Sequence, residues 1–227
     1  MTLIIGFCLV SYFVGALPFG LWIGLLRGVD IRTLGSKNIG ATNVLRVLGP
    51  VAGSFAFVLD TLKGVCGVAL ARLLWPQLTA WHQTLPNITM PYLILIGVFA
   101  ILGHTFSIFL RFKGGKGVAT SFGVLLALNY PVAIVALITW IVMLVITRMV
   151  SVASLTAAYS LPFGAYFALA GAERGDRQWM LGLGALLAVL VTVKHRSNIK
   201  RILAGTESRI SERVSANGEA NDMAEVR

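Results

Sequence analysis

Residues 118–147 read VATSFGVLLALNYPVAIVALITWIVMLVIT, an uninterrupted apolar run with no charged side chain. Whether this run is one helix or two decides the topology. A helix needs about 20 residues to cross a bilayer. One long helix is therefore more than enough, and two helices turning at Asn129-Tyr130-Pro131 would each be short and partly embedded. Asn and Pro in sequence are turn formers, because Asn tolerates unusual backbone angles and Pro cannot continue a preceding helix.

The surrounding composition sets the class. The chain of 227 residues is 57% hydrophobic and 12% charged, with a mean hydropathy of +0.83. Soluble domains are roughly a quarter charged, so this is an integral membrane protein. A net charge of +10 would suggest nucleic acid in a soluble chain. Here Lys and Arg cluster in short loops beside apolar runs, which is the positive-inside pattern, and no nucleic-acid partner is indicated. Cys8 and Cys66 both lie inside apolar segments, so neither a disulfide framework nor a CxxC metal site is available, and no ligand cluster calls for a metal or cofactor.

Outward from the decisive run, further spans follow. Leu3–Leu26 has no Lys or Arg before it and Arg27 and Arg32 after it. A signal peptide carries its charge in front, so this run is an uncleaved anchor with its N-terminus outside. Val51–Leu74 is interrupted by Asp60 and Lys63, and Trp75–Met90 reads as an external loop whose Trp75 and Trp81 suit the interface. Pro91–Leu110, Ser151–Ala170 and Gln178–Val193 complete the set.

Splitting residues 118–147 gives seven spans, two of them short. All of the 19 Lys and Arg except Lys63, Arg72, Arg174 and Arg177 then fall on the inner side. A single helix gives six spans and exports the basic tail, which the positive-inside rule disfavours. The expectation is an all-α membrane protein of seven transmembrane helices, N-terminus outside and C-terminus cytosolic. Residues 1–204 form one polytopic domain and residues 205–227 a polar, disordered cytosolic tail. No internal repeat supports the inverted symmetry of many transporters.

Three polar segments converge on the inner face. Gly35-Ser36-Lys37-Asn38-Ile39-Gly40-Ala41-Thr42-Asn43-Val44-Leu45-Arg46 is dense in small hydrogen-bonding side chains and ends in a planar cationic fork suited to phosphate. Helix capping is its simpler explanation. Gly103-His104 runs through Lys113-Gly114-Gly115-Lys116-Gly117 to Val118-Ala119-Thr120. Consecutive glycines let several backbone N–H groups curl toward one point, and flanking ammoniums add charge, so the run suits a phosphate cradle as well as a basic turn. It is not a Walker P-loop, since Gly-Lys is followed by Gly, and ATP hydrolysis is not indicated. His195-Arg196-Ser197-Asn198-Ile199-Lys200-Arg201 follows the last span, where a basic stretch also serves to bind anionic headgroups of membrane lipids. Asp60 and Lys63, one helical turn apart, can neutralise each other, or Asp60 can orient Arg46.

At these segments the chain resembles the PlsY family, the bacterial glycerol-3-phosphate acyltransferases that use acyl phosphate, over nearly its full length. Gly35 to Arg46 matches the first family motif, with Lys37 where Gly is more usual. Gly103-His104 through Thr120 matches the second, with Ser107 in place of an expected Pro. His195 to Arg201, with Gly205 and Glu207, matches the third. The resemblance implies transfer of a fatty acyl group from acyl phosphate to the 1-hydroxyl of sn-glycerol 3-phosphate, giving lysophosphatidate and phosphate. It also implies a bacterial inner-membrane location with a cytosolic active site, no cofactor, and a functional link to the enzyme that makes acyl phosphate.

The residues suit two phosphate-bearing substrates. Arg46, Lys113 and, by resemblance, Ser151 are expected on the phosphate of glycerol 3-phosphate. Ser36, Asn38 and the Lys113–Gly117 backbone (Gly114, Gly115, Lys116 and Gly117), with His195 and Asn198, are expected on the acyl phosphate head. Thr42, Asn43 and Glu207 join the binding set. Ser36, Arg46, Lys113, His195 and Asn198 are the expected catalytic residues. The hydroxyl proton goes to a substrate phosphate or to His195. No His-x4-Asp pair exists: the residues five after His82, His104 and His195 are Asn87, Phe109 and Lys200. A carrier for phosphate or an anionic metabolite is the alternative, and it calls for charges deep in several spans.

Overall fold

A computed structural model of the chain describes residues 2–81, 88–214 and 220–221. The decisive run is two helices, α6 (Val118–Leu128) and α7 (Tyr130–Thr147), once the earlier elements are numbered α1 (Thr2–Ala16), α2 (Phe19–Leu26), α3 (Ala41–Leu48), α4 (Pro50–Trp81) and α5 (Met90–Thr105). Asn129 makes the turn in the expected way. Its side-chain oxygen accepts from Val132 N at 3.2 Å, and Pro131 occupies the first turn of α7, where a missing N–H costs nothing. The chain continues through α8 (Val150–Ala168), α9 (Arg174–Lys194) and α10 (Arg196–Leu203).

Five segments among the described residues are long and apolar enough to cross a membrane: Thr2–Leu26, Pro50–Leu78, Met90–Leu110, Tyr130–Thr147 and Arg174–Lys194. The protein is a multi-pass membrane protein. α6 is apolar but has 11 residues, about 16 Å of rise.

The first span departs from its expected continuity. It breaks at Leu17-Pro18 into α1 and α2, because Pro removes a donor and clashes with the preceding turn. The freed carbonyls find buried partners: Ser107 Oγ donates to Ala16 O at 2.6 Å and Lys63 Nζ donates to Leu17 O at 2.8 Å. Without them, polar backbone would stand unsatisfied in a site closed to water. Ser107, the departure from the family's Pro, thus holds the break together.

α1 packs on α4 and α5, α4 on α6, and α8 between α7 and α9. The α4–α6 crossing is close because Gly64 and Gly123 face each other's helices. A Cβ on Gly64 would strike Thr120 O, and one on Gly123 would strike Thr61 O. The main core, with Val68, Ile96, Val124, Val132 and Leu187, fills the bundle. A smaller cluster of Leu21, Ile31, Ile39, Val44 and Ala56 lies under residues 27–40 and gives that polar connection an apolar floor.

Two expectations need correction. Trp75 lies inside α4, which runs on to Trp81, and is buried with its ring 6.2 Å from that of Phe7. Helix propagation past Leu74 lets this large ring reach the core; residues 82–87 of the expected loop lie outside the described residues. The tail does not become featureless after Ala204. Glu207 is buried, and Arg213–Val214 pairs antiparallel with Ala220–Asn221, so the described part is not purely helical.

Candidate active site

The first polar segment is held by its own asparagines. Asn43 is buried; its side-chain amide donates to Ile31 O at 2.9 Å and Leu34 O at 3.2 Å, and its oxygen accepts from Ser36 N at 2.9 Å. Both amide hydrogens are therefore committed to the loop, and Asn43 shapes the site rather than donating to a ligand. Asn38 accepts from Gly40 N at 2.8 Å just before α3 begins. Lys37 adopts φ +57°, the left-handed conformation that a glycine takes more readily. The loop thus keeps its path despite the substitution. Ser36, Asn38, Thr42, Asn43 and Arg46 then line one cavity.

The glycine run works differently from a nest of convergent amides. Gly114 N donates to Thr105 O at 3.3 Å and Gly115 N to His104 O at 3.0 Å. These amides bind the end of α5 and are not aimed at a common point. The two glycines are needed for approach: a Cβ on Gly114 would meet His104 O, and one on Gly115 the His104 ring. Gly117, at φ +82°, starts α6, and the first-turn amides of Val118 and Ala119 have no partner within the helix. Both residues line the cavity with Lys116 and Gly117. A helix N-terminus beside an ammonium suits an anion, whereas the amides of Gly114 and Gly115 are spent on the end of α5.

Lys113 is not brought in. It is exposed and lines neither this cavity nor the cationic recess beside it, whereas Lys116 lines both. Lys116 Nζ donates to Asn198 Oδ1 at 2.5 Å, Asn198 Nδ2 donates to Glu207 Oε1 at 2.6 Å, and Arg201 Nε donates to Glu207 Oε2 at 2.7 Å. Burial brings Lys116 down to about 8, against the opposing carboxylate of Glu207 and with help from Arg201 and Arg46. Burial alone would raise Glu207, but neighbouring Ser151, Asn198 and Arg201 hold it below the usual carboxylate value.

His195 is buried, and its Nδ1 lies 2.8 Å from Val191 O. That contact assigns the proton to Nδ1 and leaves Nε2 as an acceptor. Burial, and then the nearby charge of Lys116, lower its pKa to about 4, so the imidazole is neutral near pH 7. Arg46 is 8% exposed; its Nη2 donates to Ser208 O at 3.1 Å, while Nε is buried with no protein partner. Ser151, at the start of α8, has a buried Oγ beside the Glu207 carboxylate. Both residues line the cavity, with His195, Asn198 and Glu207.

Two further lining residues, Asp60 and His104, are also buried. Lys63 Nζ is 2.7 Å from Asp60 Oδ1 and 3.1 Å from His104 Nδ1, so the two helix neighbours do neutralise each other and His104 joins them. Charges inside an apolar run were the signal for this cluster. Among the described residues no group of His, Cys, Asp and Glu could hold a metal ion.

From the polar cavity an apolar groove continues between α6, α7, α8 and α9. Phe57, Val118, Trp140 and Ser154 line both, and Leu125, Leu161 and Leu187 line the groove alone. A cationic cavity that shares a wall with an apolar groove suits an amphiphile with an anionic head.

The family described as Glycerol-3-phosphate acyltransferase matches residues 5–205. The chain belongs to the glycerol-3-phosphate acyltransferase family. It is 40% identical over 204 residues to the glycerol-3-phosphate acyltransferase of Fusobacterium nucleatum, covering 89% of this chain and 96% of that one. The corresponding protein of Lacticaseibacillus casei is 43% identical over 217 residues, covering 92% and 93%. Within this acyltransferase family, the crystal structure of PlsY (YgiH) in its glycerol 3-phosphate form superposes with a TM-score of 0.76 at 35% identity, over 91% of this chain and 94% of that one. The lysophosphatidic acid form gives 0.75 at 34% identity, with the same coverage. The PlsY resemblance read from the three motifs is thereby established.

Proposed function

We propose that this protein transfers a fatty acyl group from acyl phosphate to the 1-hydroxyl of sn-glycerol 3-phosphate, giving lysophosphatidate and phosphate in the first step of phospholipid synthesis. The observation that carries the reading is the shared wall of cavity and groove. Arg46 has a buried Nε without a protein partner, and Ser151 lies beside Glu207, in a cavity that shares Val118 and Trp140 with an apolar groove.

Arg46 and Ser151 suit the phosphate of glycerol 3-phosphate. Lys116, the start of α6, Ser36 and Asn198 suit the acyl phosphate head, with the acyl chain in the groove. The hydroxyl oxygen attacks the acyl carbonyl carbon, the bond from that carbon to the phosphate oxygen breaks, and phosphate leaves with its electron pair. Lys116 and the amides of α6 stabilise the departing charge. A mixed anhydride is already activated, so orientation and charge stabilisation suffice. Burial and the nearby Lys116 push His195 down to about 4, which favours a substrate phosphate over the imidazole as the proton acceptor. Its Nε2 orients the hydroxyl, and a substrate phosphate oxygen takes the proton.

The positive-inside distribution supports seven crossings, with α6 and α8 added to the five strongest spans. It also supports a cytosolic active site in the bacterial inner membrane. The enzyme that makes acyl phosphate is the expected functional partner.

The deciding assay offers purified protein acyl phosphate, acyl-CoA or acyl carrier protein as donor. Phosphate release from acyl phosphate only when glycerol 3-phosphate is present is the expected result. Turnover with acyl-CoA alone overturns the donor assignment, and phosphate flux into liposomes without turnover establishes a carrier instead. A reporter fused after Arg201 is expected to be active only in the cytosol.

A further inference from the structure

The chain after α10 does more than end the protein. Gly205, at φ +71°, reverses the backbone, and Thr206 N donates to Arg201 O at 2.8 Å. Three residues are then fixed at separate places. Glu207 is gripped by Asn198 and Arg201, the Ser208 carbonyl accepts from Arg46 Nη2 at 3.1 Å, and Ile210 N donates to Arg148 O at 2.8 Å in the turn between α7 and α8. Residues 205–210 thus form a strap from α10 across to the α7–α8 turn, and its middle carbonyl holds one edge of the Arg46 fork.

We propose that this strap is a positioning element for Arg46 and sets affinity for the phosphate of glycerol 3-phosphate. A guanidinium has five donors in one rigid plane. Fixing Nη2 on Ser208 O settles the orientation of that plane and leaves the buried Nε, which lacks a partner, as the donor for the ligand. The Ile210–Arg148 bond sets the far end of the strap and hence where Ser208 O stands. The proposal rests on the assignment of Arg46 to glycerol 3-phosphate.

The test uses full-length Ile210→Pro, which removes the N–H donated to Arg148, and a second full-length variant with one glycine inserted between Glu207 and Ser208. KM for glycerol 3-phosphate is expected to rise about fivefold in each, the effect of losing one hydrogen bond. KM for acyl phosphate and the thermal midpoint are expected to stay as in the wild type. In an Arg46→Lys background, Ile210→Pro is expected to add nothing, because the two changes act through one contact. Equal effects on both substrates, additive effects with Arg46→Lys, or loss of folded protein in both variants would overturn the proposal. Failure of the wild type to use glycerol 3-phosphate would instead remove the functional assignment beneath it.

Discussion

Lys116 Nζ lies 2.5 Å from Asn198 Oδ1, a contact that joins the start of α6 to α10 and puts the ammonium between the cavity and the cationic recess beside it. Lys113, three residues earlier, stands exposed outside the cavity. Lys116→Ala is therefore expected to lower kcat/KM at least about 100-fold, as for loss of a group that stabilises transition-state charge. Lys113→Ala should change it less than about threefold, as for an exposed charge near the site. Steady-state kinetics on both variants checks this, and the reverse ranking would return the role to Lys113.

The pH profile separates the two candidate bases. Lys116, brought down to about 8, loses its charge as pH rises through that value, so kcat/KM is expected to fall on the alkaline side. Burial and the charge of Lys116 push His195 down to about 4, which keeps it neutral through pH 5–8. An acidic limb near pH 6 therefore belongs to the second ionisation of a substrate phosphate, about 6 for phosphate esters. That limb should persist in His195→Gln, at reduced rate. Its disappearance in the variant would assign the proton to His195.

Asp60 and Lys63 form a buried pair at 2.7 Å. Removing one partner leaves an uncompensated charge, so Asp60→Asn or Lys63→Met alone is expected to cost about 3–5 kcal/mol. The double substitution Asp60→Leu with Lys63→Met should cost less than the two singles combined. It will not reach zero, because Lys63 also holds Leu17 O at the break in the first span. Thermal unfolding in detergent measures all three.

Gly115→Ala places a methyl against the His104 ring, whereas a Cβ on Gly182 meets nothing within 4 Å. The first substitution should shift the loop that carries Lys116, lowering activity by more than about tenfold, and reduce stability by about 1–3 kcal/mol. Gly182→Ala is expected to leave activity intact and slightly raise stability through the lower helix cost of Ala. Equal behaviour of the two would show that close packing on His104 is not what the glycine provides.

The helix boundary at Asn129 was legible because cap and turn chemistry are local: Asn accepts from Val132 N and Pro131 starts the next helix. The break at Leu17-Pro18 was not. Proline is visible there, but the donors that make a break tolerable are Lys63 and Ser107, distant in the chain. The three site segments stood out by their density of small polar residues. Which of the two lysines enters the cavity depends on where α5 consumes the glycine amides, a tertiary fact. Asn43 lines the cavity and also ties its own loop together, a second role that residue type alone does not reveal. The strap escaped notice because polar composition reads as disorder when its partners, Arg46 and Arg148, lie far off in sequence.

The shared wall of cavity and groove, formed by Phe57, Val118, Trp140 and Ser154, makes the site a border between two solvents. Under the proposed reaction the two products dissolve in different phases. Lysophosphatidate slides sideways into the leaflet, and phosphate diffuses into the cytosol. Reversal would need both to return to one point from separate media, so forward flux owes its direction to solubility as well as to the activated donor.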